Sequence, residues 1–150
     1  MYTPASEVMN DLILMNNDRI KGYQRTMKNL KEKDSDLRIL FTDIIEQTQK
    51  FNNDLSREVE KLGAAAETHT SVSGKLHLAW IGIKATFTGH NRKALLGECE
   101  RGEDALRITY LEAMNESSDL SPEQWELISD QARQMKLVHD QIKALRDQAA

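Results

Sequence analysis

The stretch 63-GAAAETHTSVSGKLHLAWIGIKATFTGHN-91 decides the topology of this chain. About thirty residues are too many for a hairpin turn, and enough to run the length of a helical bundle at about 1.5 Å per helical residue. The stretch is not plain loop. Val72, Leu76, Ala79, Trp80, Ile83 and Phe87 recur at helical spacing, which predicts a short amphipathic helix over about 73–88 despite Gly82 within it. Its apolar run from Leu76 to Ile83 is interrupted by His77 and bounded by Lys75 and Lys84. That is far below the roughly 20 residues a membrane-spanning helix needs.

Two long helical patterns lie on each side of this connection. In the first, over about 4–31, Met9, Ile13, Ile20, Tyr23, Met27 and Leu30 form the apolar stripe, with Asn16 as its polar step. The second, over 35–62, runs Leu37, Phe41, Ile44, Phe51, Leu55, Val59 and Leu62, with Thr48 in the stripe. The third, over 91–115, carries Leu96, Cys99, Leu106 and Tyr110 around Glu103. In the fourth, over 122–148, Ile128, Ala132, Met135, Ile142 and Leu145 flank His139. Narrow stripes of this kind suit helices packed nearly parallel. Short links around Lys33 and Ser117 make each pair an antiparallel hairpin. Two hairpins joined by one long crossover give an all-α, ferritin-like four-helix bundle as the expected fold, in a single domain over 1–150.

The helix ends carry their own chemistry. Thr3-Pro4 and Ser121-Pro122 each place a side-chain oxygen before a proline at the first helical position, where the missing N–H costs nothing. Ser121 with Gln124 has the spacing of a capping box. Asp34 or Ser35 is expected to cap the second helix, and Gly63 to end it in a left-handed turn.

Composition narrows the function classes. With 39% hydrophobic and 29% charged residues the chain is too apolar to be disordered. The four-residue excess of acidic over basic side chains speaks against a nucleic-acid binder. One cysteine, Cys99, rules out an intrachain disulfide and a Cys-cluster zinc site, which fits a reducing compartment. The start MYTPASEVMND has an acid where a secretory signal would be basic, and a cytoplasmic location away from membranes is expected.

Several strings together resemble a known family. They are Ser71-Val72-Ser73-Gly74, Leu76-His77 with Trp80 and Lys84, Thr88-Gly89, Glu98-Cys99-Glu100-Arg101-Gly102-Glu103-Asp104, and Tyr110. Asn10-Asp11-Leu12-Ile13, Asp18 and Gly22 join them near the start, and His139-Asp140 and Leu145-Arg146-Asp147 near the end. The chain resembles a small bacterial family built on a domain of unknown function and grouped with ferritin-like bundles. The resemblance implies the bundle, the crossover and a vague stress-related or partner-binding role, and it brings no agreed activity. It also raises the question of a di-iron centre.

Such a centre takes one Glu from each of two helices and a Glu-x-x-His from each of the other two, all pointing inward. Glu103 resembles the single inward Glu, and Glu100 lies one turn before it. His139 is present, but Lys136 stands three residues earlier. Glu46 is followed by Gln49 where a His is needed, and both lie off the stripe, as does Asp18. The ligand set is incomplete. Counted from their turns, Asn16 and Thr48 share a level near mid-bundle, whereas Glu103 and His139 differ by about 9 Å and Glu100 is nearer to His139.

The preferred reading is therefore a non-catalytic bundle in which Asn16, Thr48, Glu103 and His139 form polar core clusters that fix helix register. Glu103 would pair with His139 or with a snorkelling Arg or Lys. No catalytic residue and no cofactor are expected. One alternative is a metal-binding or di-iron-type oxidoreductase with a degenerate site, holding iron or zinc through Glu100, Glu103 and His139. Another is a structural subunit that assembles with copies of itself. His77, Trp80 and Lys84 mark the crossover motif, where His77 packs at a helix edge. His69 and His90 lack ligand-spaced partners, and Cys99 on the stripe reads as an inert buried thiol.

Overall fold

Periodic apolar residues produce the helices of this chain. A computed structural model describes residues 5–66, 91–116 and 119–149. Within them the chain forms four long helices and no strand: α1 (Ala5–Lys28), α2 (Ser35–Lys61), α3 (Arg92–Glu116) and α4 (Pro122–Gln148). A single 3-10 turn at Glu32–Asp34 precedes α2. The crossover helix expected over 73–88, with His77, Trp80 and Lys84, lies outside the described residues. So do Thr3-Pro4, His69 and His90.

The ends follow local chemistry. Ser121 accepts a hydrogen bond from the Gln124 N–H while the Gln124 side chain accepts from the Ser121 N–H, a complete capping box ahead of Pro122. At the far end of α2 the Gly63 N–H reaches the Glu60 carbonyl and the Ala64 N–H reaches that of Val59. This Schellman closure needs a left-handed residue, which Gly63 supplies at φ 78°. Leu62, placed in the apolar stripe by its spacing, is instead exposed, because α2 stops at Lys61. α1 ends at Lys28, short of residue 31, where the Asn29 and Leu30 N–H groups turn back to the Thr26 and Met27 carbonyls. Asp34 occupies the N-cap of α2 without capping it: its carboxylate accepts from Arg92 at 2.9 Å instead.

α1 packs along α2, and α3 along α4. In both pairs the hydrogen bonds climb one helix as they descend the other. Between α1 and α2 they link Met27 to Arg38, Arg19 to Thr48 and Asn17 to Asn52. Between α3 and α4 they link Glu100 to Arg146, Tyr110 to Gln131 and Met114 to Trp125. Arg92 then clamps the first residue of α3 to the beginning of α2, through Asp34 and through Asp36 at 2.6 and 2.9 Å. These two helices therefore start at the same end of the structure.

One apolar core runs through all four helices, from Met9, Leu12, Ile13 and Tyr23 to Leu96, Leu106, Tyr110, Ile128, Met135 and Ile142. Phe41 meets the Tyr23 ring at a centroid distance of 5.0 Å. The buried arc of α1 is wider than its stripe, for it also takes in Ala5, Arg19 and Thr26 at seven-residue intervals from Leu12, as well as Asp18.

Since the Ser121 side chain serves a donor that would otherwise be orphaned, Ser121→Ala should lower unfolding free energy by about 1 kcal/mol. Urea denaturation followed by circular dichroism measures this, and an unchanged midpoint would mean the cap is idle.

Candidate functional site

The centre of the bundle is polar. Arg19 and Glu103 are both fully buried, and their side chains meet in a two-point pair: Nε donates to Oε2 at 2.9 Å and Nη2 to Oε1. The Arg19 Nη1 donates to Thr48 Oγ1 at 3.0 Å and to Gln47 Oε1 at 3.3 Å. Tyr23 adds a hydroxyl bond to Glu103 Oε2 at 3.0 Å. Thr48 in turn donates to the Ile44 carbonyl. One turn away, Asn16 Nδ2 donates to the Tyr110 hydroxyl, which donates to Gln131 Oε1, each at 2.7 Å. Gln131 Nε2 then reaches the Phe51 carbonyl of α2 at 3.2 Å. Every helix contributes a group, so sliding any one helix by a turn would strand several buried donors.

Charge is held here against the cost of burial. Desolvation opposes the Arg19 charge, and the Glu103 carboxylate, by attraction and hydrogen bonding, holds the guanidinium pKa above its ordinary value. Arginine suits the place better than lysine, because its planar fork matches both carboxylate oxygens. Burial, then the Glu103 charge, pushes the Tyr23 hydroxyl well above its usual range, and burial also raises Tyr110. Cys99 is buried beside them, and burial followed by the charges of Glu103 and Glu98 drives its thiol far up. It is a core thiol held away from the reactive thiolate.

The predicted site residues fall into two places. Asn16, Thr48 and Glu103 are fully buried in the central network. His139 is not with them. Val138 takes the inward position on α4, and His139 lies at the outer edge of the α3–α4 seam, its side chain 13% exposed. There its Nε2 stands 3.4 Å from Glu100 Oε1 and 3.0 Å from Asp104 Oδ1, while Nδ1 is 3.0 Å from Asp140 Oδ1. Glu100 and Asp104, one turn apart on α3, lie to the same side of Glu103 and meet His139, while Glu103 points inward, so the three acids separate between edge and core. Arg146 bonds the second oxygen of Glu100, and Lys136 bonds Asp140 Oδ2 at 2.8 Å. Glu46 and Gln49 are exposed. Asp18, read as off the stripe, is buried, because α1 is covered over the wider arc.

Sequence reasoning missed Arg19, Gln131 and Asp104. A signal for Arg19 existed: Ala5, Leu12, Arg19 and Thr26 form a strict seven-residue series, yet Ile20 fits a three-or-four spacing equally well and a cation is a poor guess for a core. Asp104 is one turn after Glu100, but its meeting with His139 depends on how α3 and α4 lie side by side.

A family model described as a domain of unknown function, DUF2383, matches residues 4–116. The chain belongs to this family. The DUF2383 match takes in α1, α2 and α3, hence Arg19, Thr48, Glu103, Tyr110 and the two edge acids, and stops before α4 with Gln131 and His139. Among curated proteins the DUF2383 chain finds no significant match.

Removing one member of the central pair should leave a buried charge uncompensated. Glu103→Leu is expected to cost about 3–5 kcal/mol, and the double variant Arg19→Met/Glu103→Leu to recover most of that loss. Urea unfolding of the three proteins checks this; equal losses in the single and double variants would deny the pairing.

Proposed function

We propose that this protein is a non-catalytic, ferritin-like bundle that acts through its surfaces, with a guanidinium–carboxylate pair where the ligands of a di-iron centre would converge. The observation that carries this reading is the engagement of Glu103, whose two oxygens together accept three hydrogen bonds from Arg19 and Tyr23. Two metal ions would need several more inward carboxylates and two histidines. Among the described residues the deeply buried acids are Glu103 and Asp18, no histidine is buried with them, and a fixed cation stands against Glu103. The site does not fit a di-iron group.

The ferritin-like connectivity is supported by the Arg92 clamp. Because α2 and α3 begin at the same end, two antiparallel pairs would be joined by a segment returning along the bundle. The lone buried thiol fits a reducing compartment such as the cytoplasm, and no helix of the described residues is long and apolar enough to cross a membrane. A second reading, a structural subunit assembling with its own copies, is favoured by large apolar side chains left exposed on three helices: Ile39, Ile108, Leu111 and Leu137.

Adding ferrous iron and oxygen to the chain tests the main reading. Iron should oxidise no faster than in buffer, with no absorption band of an oxo-bridged pair. Two irons per chain with such a band, lost in Glu103→Gln, would contradict it.

A further inference from the structure

His139 at the edge of the α3–α4 seam sets a problem that a neutral ring cannot solve. Carboxylate oxygens approach both of its nitrogens, Asp140 at Nδ1 and Asp104 at Nε2, each at 3.0 Å. A neutral imidazole has one N–H, so one nitrogen must turn a lone pair toward an anion unless a cation sits between them. The Nε2 atom is buried and makes no hydrogen bond. It is also the nitrogen that faces two acids, Glu100 Oε1 lying 3.4 Å away.

We propose that Glu100, Asp104 and His139 form a mononuclear zinc-type site on the outer side of this seam, separate from the bundle interior. One ligand atom from each lies within 4.8 Å of the other two. Zinc–nitrogen and zinc–oxygen bonds of about 2.0–2.2 Å put ligand atoms roughly 3.3 Å apart, close to the spacings around Nε2. Asp104 is 48% exposed, so a fourth position opens to water. Asp140, accepting the Nδ1 proton, fixes the tautomer that turns the Nε2 lone pair to the metal, the usual support for a ligating histidine.

The charges around the site agree. Glu100, Asp104, Asp140 and Asp147 face Lys136 and Arg146, four acids against two bases, which leaves a surplus of two negative charges for a divalent ion. The two bases hold the far oxygens: Arg146 that of Glu100 and Lys136 that of Asp140. The Glu100 Oε1 and Asp104 Oδ1 atoms remain directed at the ring. Three ligands from two facing helices would pin α3 to α4 on the side away from the central ion pair.

Calorimetric titration of zinc into the metal-stripped full chain tests the site. One ion per chain is expected, together with a rise in melting temperature. Asp104→Asn and His139→Gln should each weaken binding at least about tenfold, and Asp140→Asn, which touches no metal, about 10–100-fold. Asp104 is half exposed, so its variant keeps the fold, which circular dichroism verifies. Failure of the native chain to take up zinc would overturn the site. Uptake that Asp104→Asn and His139→Gln leave unchanged would overturn it equally.

Discussion

A guanidinium and a carboxylate, both removed from water, meet at the centre of this bundle, and the arrangement of the helices is built around that meeting. Each ion alone would be costly in such a place. Together they are tolerable only if every remaining donor and lone pair is served. Thr48, Gln47 and Tyr23 supply further hydrogen bonds to the pair, and one turn away Asn16, Tyr110 and Gln131 form a second bonded set that reaches α4. The apolar stripes supply the drive to pack, yet Leu, Ile and Met tolerate many sliding arrangements of similar energy. The polar set does not, and so it selects one register.

This arrangement also decides the chemistry of the interior. An inward Glu on a bundle helix is the usual raw material of a carboxylate metal centre. Here its charge is neutralised by a covalently tethered cation, both its oxygens are already bonded, and the neighbouring hydroxyls and thiol are held in their neutral forms by burial. Metal-ligating capacity moves outward instead, to the solvent-facing seam where His139 meets Glu100 and Asp104. Two residues separate Glu100 from Glu103, and their destinations differ because the α-helix turns about 100° per residue.

Much of the fold could be read from the sequence, for reasons particular to its residues. The four stripes are long and keep one period, so Leu37, Phe41, Ile44, Phe51 and Leu55 could hardly face elsewhere. Ser121 with Gln124, and Gly63, act through bonds within a few residues, and local spacing captures them. Asp34 takes the N-cap position that local spacing indicates, but its carboxylate serves Arg92, 58 residues away, in place of the helix N–H groups. The candidate sites were harder. Between Arg19 and Ile20 the periodicity has no preference, and an inward cation becomes reasonable only once Glu103 is seen opposite it. His139 followed the stripe in spacing but yields the inward place to Val138, and its partners lie on a different helix.

The most direct probe of the central pair is the Arg19 side-chain N–H itself, observed by nitrogen-15 NMR in the native protein. Locked between Glu103 and the core, its Nε proton should resonate downfield of the exposed arginines and exchange with water orders of magnitude more slowly than theirs. An Arg19 signal that exchanges as fast as those of the surface arginines would contradict the buried pair and the helix register built on it.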